Sequence, residues 1–208
     1  MPTTVQNLFA AAGVPLLGSV PWGVPVPTRE SGVYVVSLSE DPSGFGGATD
    51  SPVIDDGAIC EWLNRVPSLE VDGQKSPGSQ AVVDRLRSFW LPDENVVYIG
   101  KATAIGTRVG QYYNTPLGMR APHSGGHWLK TLANLQYVYV HFGAAANPSA
   151  SEDAMLEAFV LGVAEETRVA LRDPSLPLPF ANLKYLRGRL KRHGMRNQRI
   201  RRATRPQS

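Results

Sequence analysis

Tyr34, Tyr98, Lys101, Arg108 and Tyr112 are side chains that can grip and cut a phosphodiester, provided the fold brings them together. A phenol has a pKa near ~10 and is a weak base at neutral pH. A cation beside it favours the phenolate, and Lys101 and Arg108 are candidates for that part. A guanidinium suits bidentate contact with phosphate oxygens and the charge that develops during transfer. Arg108 and Tyr112 stand four residues apart, so on a helix they share a face. The other reading is that both strand tyrosines pack a core and that Arg108 is an ordinary surface arginine.

The flanking patterns predict how these residues are held. GVYVVSL, from Gly32, and NVVYIG, from Asn95, are strand-like runs that would set Tyr34 beside Tyr98. A helix is expected over about 103–113, carrying Arg108 and Tyr112. Helices are also expected at 4–12, 56–65 and 79–90, the last with Val82, Val83, Leu86 and Phe89 at helical spacing. Residues 13–31 hold four prolines and read as an extended lead-in. A short helix is expected after Ser124, a strand at 136–142, and a capping box at Ser149–Glu152 opening a long helix to about Leu171. A proline-rich loop and a basic helix at about 182–193 follow. The expected fold is α+β: a small three-stranded sheet flanked by helices. Residues 1–31 form an N-terminal extension, 32–183 the main domain with a helical insertion at about 40–94, and 184–208 a basic tail.

The run YIGKATAIGTRVGQYY, with GVY sixty residues before it, resembles the GIY-YIG nuclease superfamily. Glu152-Asp153-Ala154-Met155-Leu156-Glu157 resembles that family's second helix, and Asn182 the asparagine that closes its domain. The likeness covers roughly 30–40 and 95–185. It implies that Tyr34 is the general base that activates water, that Tyr98 orients water or phosphate, and that Tyr112 bonds the phosphate or serves as an alternative base. It also implies that Asn182 bonds across the site, and that a glutamate holds Mg²⁺ (or Mn²⁺). Leu156-Glu157 fits the family register, which makes Glu157 the expected ligand. Helix phase favours Glu152 as the rival, because Glu157 lies roughly 130° from the apolar stripe. The insertion departs from the family's usual short hairpin, but loop closure grows only by about 0.6 kcal/mol per doubling of length.

Composition narrows the setting. The chain of 208 residues is 42% hydrophobic and carries a net charge of +3. Ten Lys or Arg fall after Leu183, with no acid, which leaves the rest at −7. Nine of them, Lys184, Arg187, Arg189, Lys191, Arg192, Arg196, Arg199, Arg201 and Arg202, are candidate nucleic-acid contacts, double-stranded DNA above all. The alternative is a solubilising tail. Cys60 is the only cysteine, which excludes an internal disulfide. No apolar run approaches the ~20 residues of a membrane span, and a cytoplasmic protein is expected. His123 and His127 have no third ligand nearby and read as structural; Trp62, Trp90 and Trp128 read as core anchors.

The resulting expectation is a metal-dependent DNA endonuclease of restriction or defence type. The rivals are a catalytically silent nucleic-acid-binding module of the same fold and a protein-interaction domain. A lone active site cutting both strands would have to act as a homodimer or act twice.

Overall fold

The computed structural model describes residues 3–119, 121–122 and 125–197. It is α+β, with two small antiparallel sheets. The main sheet has the order β1-β6-β2-β5 and is built from β1 (Gly18–Pro21), β2 (Gly32–Ser37), β5 (Val96–Ala102) and β6 (Tyr139–Ala144). The second sheet joins β3 (Leu69–Val71), β4 (Gln74–Lys75) and β7 (Met195–Asn197) in the order β4-β3-β7.

β2 is buried along its whole length and β5 at every residue but Lys101, so each strand face feeds a different core. Val33, Val35 and Ile99 meet α1 (Val5–Ala11) and α5 (Pro148–Gly162). Tyr34, Val36 and Tyr98 face α2 (Asp56–Arg65), α3 (Ser79–Arg87) and α4 (Ile105–Asn114). The helix ends follow local chemistry: Thr4, Asp55 and Asn147 each accept a hydrogen bond from the first turn that they cap. The opening of α5 therefore differs from the expected capping box, with Asn147 as cap and Pro148 in the first turn. That helix also stops at Gly162, and a separate α6 (Glu165–Ala170) follows.

Three further expectations are corrected. The main sheet has four strands, because the lead-in supplies β1 as an edge strand paired to β6 from Gly18↔Phe142 to Pro21↔Tyr139. An edge tolerates proline, which lacks the donor that a central strand needs. The insertion is not only helical. Asp72 and Gly73, at φ 51° and 83°, turn a two-residue β3–β4 hairpin, and Arg85 and Arg172 both bind the Asp72 carboxylate. The basic helix at 182–193 is absent. Arg187 and Gly188 both have positive φ there, Tyr185 N donates to Arg189 O at 2.8 Å, and Lys184 bridges to Leu190.

Past that turn the chain is pinned by Lys191, which is 3% exposed. Its Nζ donates to Pro179 O and Phe180 O, both at 3.0 Å, and lies 5.3 Å from the Trp128 ring centroid and 5.5 Å from that of Phe89. Burial pulls its pKa from 10.5 down to about 7, partly opposed by Asp173. The unfolded chain thus binds more protons than the folded one above pH 7, and stability rises with pH up to about 10.5. In urea melts at about pH 7 and about pH 9.5, the parent should gain a few kcal/mol relative to Lys191→Met. Equal slopes with pH in the two proteins would refute this account of the burial.

Candidate functional site

Pairing β2 against β5 sets Tyr34 opposite Gly100 and Tyr98 opposite Val36. Period-2 alternation then puts both tyrosines on one face, with ring centroids 5.9 Å apart. The Tyr34 ring lies across Gly100: a Cβ there would sit 2.7 Å from Tyr34 Cζ and 2.8 Å from Tyr98 Cε1. Only glycine admits the two rings in this arrangement. Behind them, Tyr112 packs edge-on to Tyr98 at 5.4 Å, and its hydroxyl donates to Gly126 O. Tyr112 is fully buried and does not line the cleft, so its part here is to hold Tyr98 and the 125–126 loop.

β5 is the edge of the main sheet, and its outward backbone groups are met by the segment after the proline-rich loop. Ile99 N donates to Asn182 Oδ1 and Asn182 Nδ2 donates to Ile99 O, both at 2.8 Å; Ala181 N donates to Val97 O at 2.9 Å. Asn182 thereby bonds across the site and carries residues 183–188 over the tyrosines. The result is a cleft of about 560 Å³ lined by Tyr34, Tyr98, Lys101, Arg108, Glu152 and Asn182 on one side and the 183–188 turn on the other.

Two carboxylates line this cleft, Asp153 and, paired with Lys101, Glu152. Glu152 Oε2 lies 2.8 Å from Lys101 Nζ, and Leu156 lines the wall beside it. Glu157, the expected metal ligand, is exposed and lies outside the cleft. The apolar face of α5 decides this: Ser151, Met155, Leu156 and Phe159 pack inward and bring Glu152 round with them. Among the described residues, no three His, Cys, Asp or Glu cluster as a metal site. So few carboxylates suit a cation held mainly by waters and substrate oxygens, as Mg²⁺ is.

The electrostatics differ from the expectation that Lys101 and Arg108 lower the phenol pKa. Burial pushes Tyr34 well above 10, and Tyr98 and Tyr112 add to this; Arg108 opposes it but does not prevail. Tyr98 is pushed up to about 12, first by burial and then by the Glu152 charge. Lys101 is engaged by Glu152 instead. Glu152 itself is raised by burial, with Lys101 pulling it back.

The basic run divides. Lys184 and Arg187 line the cleft. Arg189 stacks on Tyr185, with 5.6 Å from guanidinium carbon to ring centroid. Arg192 is exposed, its backbone N–H held by Asp173. Arg196 borders a second cavity. Lys191 is buried against two carbonyls and two rings, so it cannot reach a phosphate and is withdrawn as a nucleic-acid contact. Arg199, Arg201, Arg202 and His123 lie outside the described residues. Asp153, Leu183 and Tyr185 were not anticipated; the aromatic inside the basic run was the available signal for Tyr185. No described helix is long and apolar enough to cross a membrane.

Comparison with family models, with curated proteins and with solved structures finds no match.

Lys101 acts on the site through Glu152. Lys101→Met should raise the Glu152 pKa, followed by carboxyl-carbon NMR titration against Glu152→Gln for assignment. An unchanged Glu152 titration would show that the ion pair does not form in solution.

Proposed function

We propose that this chain is a divalent-metal-dependent DNA endonuclease of the GIY-YIG kind. The observation that supports this best is the convergence of Tyr34, Tyr98, Lys101, Arg108, Asn182 and the Glu152 carboxylate on a single cleft. In this reading the backbone of the bound strand runs between Arg108 and the Lys184–Arg187 turn. Arg108 steadies the equatorial oxygens of the reacting phosphate. The Tyr34–Tyr98 pair positions the attacking water, and Tyr34, in its phenolate form, accepts the water proton as the bond to phosphorus forms. Glu152 would hold the cation, which when bound would neutralise the developing charge and that of the leaving oxygen. Because both phenols are held protonated by burial, the rate should climb with pH through the neutral range.

The rival, binding without cleavage, draws on one specific feature: the only glutamate in the cleft is already paired with Lys101, and neither phenol is poised as a base at neutral pH.

Plasmid incubation with Mg²⁺ or EDTA separates the two. Metal-dependent nicking is expected, reduced about 100-fold or more by Tyr34→Phe and by Glu152→Gln. Glu157→Ala should stay within about twofold of the parent, because its side chain lies outside the cleft. Salt-sensitive binding with no nicking on plasmid or phage DNA would favour the silent module.

A further inference from the structure

A second cavity, of about 390 Å³, lies on the far side of the wall that closes the cleft. Its floor is Trp62 of α2, Trp128 and Met195 of β7. Trp128 is fixed in place by Phe89, Phe180 and His193, at ring-centroid distances of 5.6, 5.7 and 5.5 Å. Such a floor is rigid, polarisable and apolar, and it offers planar surface to a π-system. The rim is Met119 and Arg196, both exposed.

Two connections tie this cavity to the cleft. Leu183 lines both. Gly125 and Gly126 line the cleft, and the next residue, His127, lines the cavity. The partition is thus about one residue thick. Arg108, Lys184 and Arg187 sit on the cleft side, where a phosphate backbone would lie, and Arg196 marks the cavity mouth.

We propose that this cavity receives a nucleobase turned out of the strand bound in the neighbouring cleft; the inference rests on the nuclease reading. Size fits, since small-ligand sites run from about 300 Å³ upward and are mostly apolar with a few polar groups. Besides His127 and the rim residue Arg196, the polar group on this lining is His193. Its Nδ1 accepts the Met195 N–H at 3.1 Å, so the neutral ring carries its proton on Nε2 and can donate to a base-edge acceptor. Burial lowers the His193 pKa, which keeps that tautomer neutral. Extrusion is least costly for a mispaired base, and stacking on aromatic side chains offsets part of that cost.

The test uses the full chain in EDTA with DNA duplexes carrying one 5-iododeoxyuridine mispaired with thymine. After irradiation, crosslinked residues are mapped by mass spectrometry. Crosslinks to Trp62, Trp128 or Met119 are expected. Met119→Ala with Arg196→Ala, two rim substitutions whose folding is checked by thermal melting, should cut their yield and the affinity for the mispaired duplex at least about fivefold. Duplex binding with crosslinks confined to Tyr185 and other cleft residues would overturn the proposal while leaving the nuclease reading intact. Crosslinks in the cavity without any Mg²⁺-dependent cleavage would keep the base pocket and remove the nuclease. Concentration-dependent dimerisation lost in Met119→Ala would overturn it by showing a self-association surface.

Discussion

An edge strand must place its outward N–H and C=O groups somewhere. In this chain β5 carries Tyr98, Gly100 and Lys101, and its free edge is closed by a side chain rather than by a fifth strand. The Asn182 amide copies the donor and acceptor of a peptide unit and bonds both groups of Ile99. Everything on the open side of the site follows from that contact. It fixes where the chain leaves the proline-rich loop, and so where Leu183, Lys184 and Arg187 stand relative to the tyrosines. The cleft is the gap between a strand edge and the segment stapled along it.

Burial, more than charge, sets the chemistry inside. Tyr34 and Tyr112 each pack within 6 Å of Tyr98, and burial of these phenols outweighs the nearby guanidinium. The arrangement keeps the tyrosines neutral and rigid while the cations stay at the mouth. Lys101 and Glu152 neutralise each other across the junction of β5 and α5, so the site carries little net charge from that pair. The Lys191 site is built on the opposite plan. There a cation is taken inside without a close carboxylate and is held by carbonyls and ring faces.

Elements with strong local patterns were legible from the residues alone. Gly32–Ser37 and Val96–Ala102 are dense in β-branched and aromatic residues, and α2, α3 and α4 fall within a few residues of where periodicity puts them. The strand at Gly18–Pro21 was hidden because it is short, half-exposed and flanked by prolines. The β3–β4 hairpin did leave a signal in Asp72-Gly73, outweighed by the loop-like composition around it. Its third strand, Met195–Asn197, lies in the stretch read as a basic tail, and its pairing is set by contacts more than a hundred residues away. At the site, the positions of Tyr34, Tyr98 and Arg108 could be read from pattern and spacing, and that of Asn182 only from the resemblance. The place of Glu152 could be read only by giving helix phase priority over motif register, since phase reports which face packs and register only what stands next to leucine.

Order of synthesis gives the Asn182 clamp a further meaning. A nascent chain that extends only to Phe180 already has both tyrosines, Arg108 and Glu152, yet it lacks the clamp, the 183–188 turn and the lysine that pins them. The insertion's small sheet is likewise short of one strand until Met195–Asn197 emerges. Domains condense as their contacting segments become available during translation. The wall of the cleft is therefore among the last parts of the described fold to form, and a partly made chain carries the tyrosines, Arg108 and Glu152 before there is a groove around them.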